Sequence, residues 1–392
     1  MEIVNFYEDK LQKKLVEYRR DLHENPELSM KEYRTTNQIK KWLHEEDITI
    51  LDFGMKVGVV AEIKGELPGP TIAIRADIDA LPIEEQLDIE FKSKNNGVMH
   101  ACGHDLHTAS ILGASIILNK RKKELKGTIR VIFQPSEENA GGAEYVYNHG
   151  ALNDVKAIFG FHNRPNIPVG TIGIGEGRIM ASVDRFEIGI NGHGGHAGMP
   201  NNCIDPILIA SEIVSSVQNI VSRKLSSFDN AVISITRLKS GNTWNVIPDK
   251  AELEGTVRTF QDEARNIIPK LIKQTAEGIA SIYGAKIDLR WNSYVPAVNN
   301  DSQFTKTMVE VANELGYNVV DAEKVPGGED FAFYQSKIPG FFVFIGVDGT
   351  EEWHNSSFNL KEEALSVGAK YFSSLCIKIL DTWNWKKNIN IL

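Results

Sequence analysis

Hydrophobic residues in the first half of the chain fall into short β-branched runs separated by stretches with helical spacing. The runs at 57–63, 71–75, 128–134 and 157–162 are short and apolar, which predicts buried strands. The apolar stretch at 108–119 has the length of a helix, and the N-terminal segment also predicts a helix. Strands that alternate with helices predict a largely parallel α/β sheet, whose functional loops follow the carboxyl ends of the strands.

A helix start is predicted in the sequence Ser29-Met30-Lys31-Glu32. A serine followed three residues later by a glutamate is the pattern of a capping box, in which both side chains bind free backbone N–H groups. We therefore expect Ser29 and Glu32 to cap a helix that runs towards Trp42.

A different order of elements begins near Val183. Its predicted elements are, in order, a strand at 185–190, a helix at 205–222, strands at 231–238 and 251–260, a helix at 262–283 and a strand at 286–291. The order β-α-β-β-α-β is typical of one ferredoxin-like domain of about a hundred residues.

The last part of the chain returns to the first pattern. Helices at 302–315 and 360–380 and a strand at 341–347 are too few to form a domain of their own. We therefore predict a discontinuous α/β catalytic domain, 1–182 and 295–392, with a mostly parallel sheet flanked by helices. The ferredoxin-like domain, 183–294, is inserted into it.

Composition limits the classes of partner. The chain of 392 residues has 43 lysines and arginines against 52 aspartates and glutamates, a net charge of −9, which argues against a nucleic-acid or anionic-membrane partner. No apolar stretch reaches the ~18–20 residues of a membrane span, and no secretory signal is visible. Three cysteines always leave one thiol unpaired, which predicts a reducing, cytoplasmic environment.

Histidines are concentrated in one part of the chain. Seven of the ten lie between residues 100 and 196, and the densest group is the segment Met99 to His107. In an extended or turning segment, side chains two residues apart point the same way, so Cys102 and His104 can converge on one point. Thiolate and imidazole are good ligands for zinc-like metals. A histidine-rich loop around a buried thiol is the alternative.

Other candidate ligands follow predicted strands. Glu137 and Glu138 come directly after the third strand, His162 ends the fourth, and His354 follows the last. We expect adjacent carboxylates at a strand end to face different ways, so that one binds a metal and the other is a free base. A solvated surface pair is the alternative. Because the strand ends share one edge of the sheet, we expect these positions to converge on one crevice.

Five segments occur in a fixed order along the chain. They are Arg75-Ala76-Asp77-Ile78-Asp79-Ala80-Leu81-Pro82, His100 to His107, Phe133 to Glu138, Gly194 to Pro200 and Gly327 to Phe331. Together they resemble the binuclear metal amidohydrolases of the aminoacylase and carboxypeptidase family of metallopeptidases. The resemblance is to the subgroup of hippurate hydrolase, N-acetyldiaminopimelate deacetylase and the plant hydrolases of indoleacetyl-amino acids, and it spans most of the chain.

The resemblance implies two divalent metal ions per chain, with a water or hydroxide between them. The implied ligands are Cys102 as the shared thiolate, Glu138 and His354 on one ion, and His104 and His162 on the other. Glu137 is implied as the general base that takes a proton from this water and later gives it to the leaving amine. Zinc or manganese suits these ligands, and cobalt or nickel is an alternative.

We expect Asp79 to orient a metal-binding histidine from behind, as acidic residues commonly do, with a strand-end turn residue as the alternative. Three further roles are implied by the resemblance. In the inserted domain, His196 polarises the scissile carbonyl. Asn245 and Arg258 hold the substrate there, Arg258 by gripping a carboxylate, although Arg258 also fits an exposed strand position.

The implied activity is hydrolysis of the amide bond of N-acyl amino acids. A dipeptidase or aminopeptidase acting on unblocked short peptides is the first alternative. The second is a metal-holding scaffold without catalysis, against which the spare carboxylate of Glu137 argues. The resemblance also implies a homodimer paired through the inserted lid domain, although other members of the family are monomers.

Overall fold

The chain divides into two compact units. A computed structural model describes residues 2–383. The first unit comprises the chain up to Gly177, Asn299–Glu323 and the segment from Asp330. The second unit comprises Arg178–Val298 and Lys324–Glu329.

Helices and strands alternate along the described residues. The helices are α1 (Glu2–Glu24), α2 (Tyr33–Glu45), α3 (His104–Lys120), α4 (Gly142–Asn148), α5 (Pro206–Lys224), α6 (Asp262–Tyr283), α7 (Thr305–Glu314), α8 (Phe331–Gln335) and α9 (Ala364–Thr382). The strands are β1 (Thr49–Leu51), β2 (Val59–Lys64), β3 (Leu67–Asp77), β4 (Lys126–Gln134), β5 (Val155–Arg164), β6 (Thr171–Ile174), β7 (Gly177–Met180), β8 (Ser182–Asn191), β9 (Gly195–His196), β10 (Ala231–Ser240), β11 (Val246–Ile247), β12 (Lys250–Thr259), β13 (Lys286–Val295), β14 (Val298–Asn300), β15 (Asn318–Asp321) and β16 (Gly340–Gly346). Within this part of the chain, no helix is both long enough and apolar enough to span a membrane.

The first unit is built on an eight-stranded sheet in the order β1-β2-β4-β3-β5-β16-β6-β15. Its four central strands, β4, β3, β5 and β16, run parallel to one another. Helix α3 packs against β3 and also against α1 and α9, and nearly all of its residues are buried. The predicted mostly parallel sheet flanked by helices is confirmed.

The second unit is a four-stranded antiparallel sheet in the order β10-β12-β8-β13, against which α5 and α6 pack. The Asp205 carboxylate accepts the Ile207 N–H at the start of α5, and Gly284, with φ of 77°, ends α6. The chain order β8-α5-β10-β12-α6-β13 confirms the predicted ferredoxin-like pattern.

The predicted capping box at α2 is wrong. The carboxylate of Glu27 accepts the free N–H groups of Arg34 and Thr35 at the start of α2, at 3.0 and 2.8 Å. The hydroxyl of Ser29 instead donates to the Asp79 carboxylate at 2.7 Å, and the Glu32 carboxylate accepts the N–H of Ser136 at 2.8 Å. Both residues of the motif are therefore used by long-range contacts that a local pattern does not reveal.

Candidate metal centre

The last residues of β5 and the loops that follow β3, β4 and β16 form the site. The register pairs Asp77 at the end of β3 with Gln134 at the end of β4, and His162 on β5 with Phe344 on β16. The strands therefore end close to one edge of the sheet, and the chain segments that follow them start there. This is the edge at which α/β proteins commonly bind ligands.

Cys102 and His104 are brought together by a tight turn at Gly103. This glycine has a φ of 82°, and α3 begins at the next residue, four residues earlier than predicted. The two side chains therefore converge because the backbone turns, not because it is extended. The ligand atoms of Cys102, His104 and His162 all lie within 4.8 Å of one another, with 3.3 Å between Cys102 Sγ and His162 Nε2.

Glu137 and Glu138 lie on a turn that starts at Ser136, whose φ is 59°. Their backbone N–H groups donate to the two oxygens of the Asp79 carboxylate, at 3.1 and 3.0 Å. Ligand atoms of both glutamates lie within 4.8 Å of each other and of His104. Glu138 also groups with Cys102 and His354, whereas Glu137 does not, so the two carboxylates share one neighbour and differ in the others.

A second group of ligand atoms includes His354. The ligand atoms of Cys102, Glu138 and His354 lie within 4.8 Å of one another, with 3.5 Å between His354 Nε2 and Glu138 Oε2. His354 has a φ of 65°, and its N–H donates to the carbonyl of Ala101 at 2.9 Å. The two groups share Cys102 and otherwise contain the pairs of ligands that the family resemblance implies.

The buried histidines are oriented from behind by backbone carbonyls. His104 Nδ1 lies 2.9 Å from the carbonyl oxygen of Asp79, and His162 Nδ1 lies 2.9 Å from that of Asn163. Donation from Nδ1 leaves both Nε2 atoms as acceptors facing the site. A hydrogen bond at the far nitrogen is the usual support of a metal-binding histidine.

Two buried polar atoms among the candidate ligands indicate that a cation fits this site. In the part of the chain that the structure describes, His104 Nε2 and Glu138 Oε1 have no hydrogen-bond partner. Burial would lower the pKa of His104, but Asp77, Asp79 and Glu138 raise it to about 10. Burial, with the charges of Glu138 and Glu137, raises the pKa of the Cys102 thiol well above its usual value. The cluster is therefore short of positive charge, and its donor set fits divalent metal ions.

The site is closed on one side and open on the other. Cys102, His104 and His162 are buried, whereas His354 is more than half exposed. The Glu137 side chain is only partly buried, so a small molecule can reach it. Metal sites that keep an open face are typical of catalysis, whereas structural sites are closed.

A buried ionic network behind the site was not predicted from the sequence. Arg75 binds Asp77 and Asp330 at 2.7 Å each, and Asp77 also lies 2.6 Å from His107 Nδ1. The N–H of Asp330 reaches Glu137 Oε1 at 3.4 Å, so the network extends to the proposed base. The sequence did contain a sign of this network, since Arg75 and Asp77 lie in the apolar strand β3. Charged side chains in a buried strand need partners of opposite charge.

Two of the substrate residues expected in the second unit are neighbours. His196 lies on β9 opposite Val246 on β11, and the N–H of Ala197 donates to the carbonyl of Asn245 at 3.1 Å. The N–H of Gly198 donates to His196 Nδ1 at 3.0 Å, which leaves Nε2 free to act as a hydrogen-bond donor. The His196 side chain is exposed.

Arg258, the third of these residues, lies on β12 between Val183 and Val232 of the flanking strands. It is partly buried, and its guanidinium has no hydrogen bond or ion pair within residues 2–383. Burial lowers the pKa of Arg258, and the charge of Asp184 only partly offsets this effect. A partly buried guanidinium with unused hydrogen-bond donors can accommodate an anionic group.

Comparisons with known proteins give the family. The family model for "Peptidase family M20/M25/M40" matches residues 73–378. N-acetylcysteine deacetylase of Bacillus subtilis (strain 168) is 60% identical over 370 residues, which cover 94% of this chain and 97% of that protein. An N-acetyl-L-cysteine deacetylase of the same organism is 45% identical over 362 residues, which cover 92% and 87%.

A solved structure agrees with these sequence relatives. A Bacillus subtilis protein described as a dinuclear metal binding peptidase of the M20 family has a TM-score of 0.88 and 55% identity, and the match covers 96% of this chain and 100% of that one. The resemblance that the five ordered segments predicted is confirmed. The chain belongs to the peptidase family M20/M25/M40.

Proposed function

We propose that this protein is a metal-dependent amidohydrolase that cleaves N-acyl amino acids into a carboxylate and a free amino acid. The observation that carries the proposal is the pair of ligand groups that share Cys102, with the carboxylate of Glu137 beside them. Two relatives are named as deacetylases of N-acetylcysteine. We therefore propose N-acetylated amino acids as the substrate class, with N-acetylcysteine as the first member to test.

Two divalent ions would be held by the five side chains of these groups. Cys102 would serve both ions, Glu138 and His354 one of them, and His104 and His162 the other. When bound, such ions lower the pKa of a water molecule and polarise the amide carbonyl. Thiolate and imidazole favour zinc, while manganese, cobalt and nickel also accept these ligands.

Glu137 moves the proton in the proposed reaction. Its carboxylate takes a proton from the attacking water and returns it to the nitrogen of the departing amine. Asp79 fixes the turn that carries Glu137, because its two oxygens accept the N–H groups of Glu137 and Glu138. Asp79 also orients His104 through its carbonyl. This acidic residue therefore supports both the base and a ligand.

We propose that the first unit is the catalytic domain and that the second unit contributes to substrate binding. His196 is proposed to donate a hydrogen bond to the scissile carbonyl oxygen. Asn245, its neighbour across β9 and β11, is proposed to hold the substrate. Arg258 is proposed to bind the free carboxylate of the amino acid, because a guanidinium can bind a carboxylate through two parallel hydrogen bonds.

We propose a homodimer formed through the second unit. Strand β10 is an edge of the antiparallel sheet, and its residues Val232 and Leu238 are nearly half exposed. Helix α5, which packs against β10, exposes Ile207 and Leu208 to a similar degree. An open edge strand beside exposed apolar side chains is a common surface for pairing with another chain.

A reducing compartment such as the cytoplasm is proposed because the shared ligand must remain a thiol. Cys102, Cys203 and Cys376 are all free in the structure. Oxidation of Cys102 would remove the ligand common to both groups. Activity that is lost in oxidant and restored by a dithiol would agree with this condition.

The proposed function is tested most simply by Glu137→Gln. This change keeps the size of the side chain but removes the base, so we expect kcat on N-acetyl amino acids to fall by about 10²–10⁴-fold. Bound metal should stay close to wild type, because Glu137 is not needed as a ligand. Turnover is measured by release of the free amine and metal by elemental analysis.

Glu144→Gln is the matched control, since Glu144 is an exposed carboxylate on the following helix α4. It should leave both turnover and metal content unchanged. Wild-type turnover in Glu137→Gln would contradict the proposed mechanism. Hydrolysis of unblocked dipeptides in preference to N-acetyl amino acids would contradict the proposed substrate class and favour a dipeptidase.

A further inference from the structure

Asn163 is a fully buried residue that touches several parts of the metal centre without being a ligand. It directly follows His162 on β5, and its backbone carbonyl accepts the hydrogen bond from His162 Nδ1 at 2.9 Å. Its side-chain Nδ2 donates to the carbonyl of Cys102 at 2.6 Å. One residue therefore holds both the ring of one ligand and the backbone of the ligand that the two groups share.

The same side chain reaches the loop that carries His354. The indole N–H of Trp353 donates to Asn163 Oδ1 at 3.1 Å, and the Trp353 ring lies edge-on to the His162 ring with 4.6 Å between centroids. The guanidinium of Arg164 also lies over the Trp353 ring, at 4.9 Å from the ring centroid. Asn163 thus connects the His162 strand to the loop of the more exposed ligand.

A third contact ties Asn163 to the buried network behind the site. His107 Nε2 lies 2.9 Å from both the backbone N and the side-chain Nδ2 of Asn163. Since His107 Nδ1 faces the Asp77 carboxylate at 2.6 Å, its Nε2 is the acceptor. The amide of Asn163 is therefore needed in one orientation, with Nδ2 towards two acceptors and Oδ1 towards one donor.

The backbone beside the shared ligand Cys102 is tightly packed against the side chain of Asn163. An added Cβ at Gly103 would lie 2.6 Å from Asn163 Nδ2, so the turn after Cys102 passes directly against this amide. A shift of the amide would therefore move the turn that sets the distance between Cys102 and His104. Groups that hold metal ligands from behind typically change metal affinity by about 10–100-fold when they are removed.

We propose that Asn163 is a positioning residue that fixes the shared ligand Cys102 relative to His162, and so sets the spacing of the two metal positions. This inference rests on the proposed two-metal function. It predicts that the loss of the Asn163 amide changes how the thiolate binds metal even when the protein remains folded. This change can be measured from the absorption spectrum and the affinity of the bound metal, without an activity assay.

The test is Asn163→Leu, which keeps the approximate size and adds no charge. Metal-free protein is titrated with Co²⁺, and the near-ultraviolet charge-transfer band between thiolate and Co²⁺ is recorded with the dissociation constants. We expect the band to shift or weaken at saturation and at least one dissociation constant to rise about 10-fold or more. Trp353→Phe removes the indole N–H that donates to Asn163 Oδ1 and replaces the indole by a smaller aromatic ring, and we expect a smaller change in the same direction.

Asn300→Leu is the matched control. Asn300 is also a buried asparagine, and its amide binds the backbone of Phe342 and the carbonyl of Gly175, away from the ligands. It should lower the melting temperature but keep the wild-type band and dissociation constants.

A wild-type band and affinity in Asn163→Leu would overturn the proposal, and so would equal changes in both asparagine variants. If Asn163→Leu does not fold, Trp353→Phe becomes the test. A wild-type thiolate-to-Co²⁺ band in Trp353→Phe would then overturn the inference. A wild-type protein that binds fewer than two Co²⁺ ions, or shows no thiolate band, contradicts the proposed function instead.

Discussion

At the scale of single residues, unusual backbone conformations decide where the ligands point. Gly103, Ser136 and His354 all have positive φ values, and each lies at or beside a candidate ligand or base. Residues other than glycine in this region cost of order 1–3 kcal/mol and persist where surrounding contacts hold them. Ser136 and His354 bear this cost at the turns that place Glu137 and His354, whereas a glycine at 103 avoids it beside Cys102.

Gly103→Ala is predicted to disturb the site beyond its backbone cost. A positive φ alone costs an alanine roughly 1–2 kcal/mol. Gly316→Ala is the control, because Gly316 has a similar φ of 74° and the same backbone cost is expected. An added Cβ at Gly316 would have no atom within 4 Å. We expect Gly103→Ala to lose more stability than this control and also to lose metal affinity. Equal effects of the two changes on urea unfolding and metal binding would refute the clash with Asn163.

The sequence could identify candidate ligands by chemical type but not the residues that support them. Cys102, His104 and Glu138 stand out because they combine metal-binding side chains with strand-end or loop positions. Asn163 gives no such signal, because an asparagine after a strand is common in any loop. Its importance depends on contacts with residues about 60 to 190 positions away, which no local pattern contains.

At the scale of elements, the long periodic segments were predictable and the short ones were not. Helix α6 has the predicted bounds, and strands β4 and β5 each extend two residues beyond the prediction at one or both ends. Strands β6 and β15 were missed, because a four-residue strand has too few positions to show a pattern. These two strands pair with each other at one edge of the sheet, away from the ligand loops.

Strand β3 is held to the segment before α8 by charge, which gives a stability prediction. Arg75 is fully buried between Asp77 and Asp330. Arg75→Met leaves two buried carboxylates without their counter-ion, and we expect a loss of about 3–5 kcal/mol in the free energy of unfolding. Urea unfolding of metal-free protein measures this loss without a contribution from bound ions.

Arg121→Met is the surface control for this change. Arg121 pairs with Glu124 at 2.6 Å on an exposed turn, and exposed ion pairs contribute about 0–1 kcal/mol. If Arg75→Met lowers the free energy of unfolding no more than Arg121→Met does, the buried ionic network does not stabilise strand β3.

At the scale of the whole molecule, each unit has its own hydrophobic core. Contacts group Lys324–Glu329 with the second unit, where Val325 pairs with Met180. The sequence order alone could not show this, because the segment follows elements of the first unit. The order of strands and helices nevertheless predicted the class of both sheets. The strands of the second sheet are nearly consecutive in the chain, and the α/β pattern of the first sheet resumes after them.

The proposed homodimer predicts a change in mass for a double variant. Leu208→Glu combined with Val232→Glu places charges on α5 and on the edge strand β10. In analytical ultracentrifugation we expect the wild type to have the mass of two chains and the double variant the mass of one. Ile282→Glu changes an equally apolar, exposed residue on the other helix, α6, and should remain dimeric. A monomeric wild type, or a dimeric double variant, would contradict this interface.

Two metal ions and Glu137 are proposed to act together in the hydrolysis of N-acyl amino acids. The most direct measurement is the initial rate of N-acetylcysteine hydrolysis as zinc or manganese is added stepwise to metal-free protein. We predict that the rate rises to a plateau at two ions per chain and that Glu137→Gln stays near the baseline while binding the same two ions. Full turnover without metal, or full turnover by Glu137→Gln, would contradict the account.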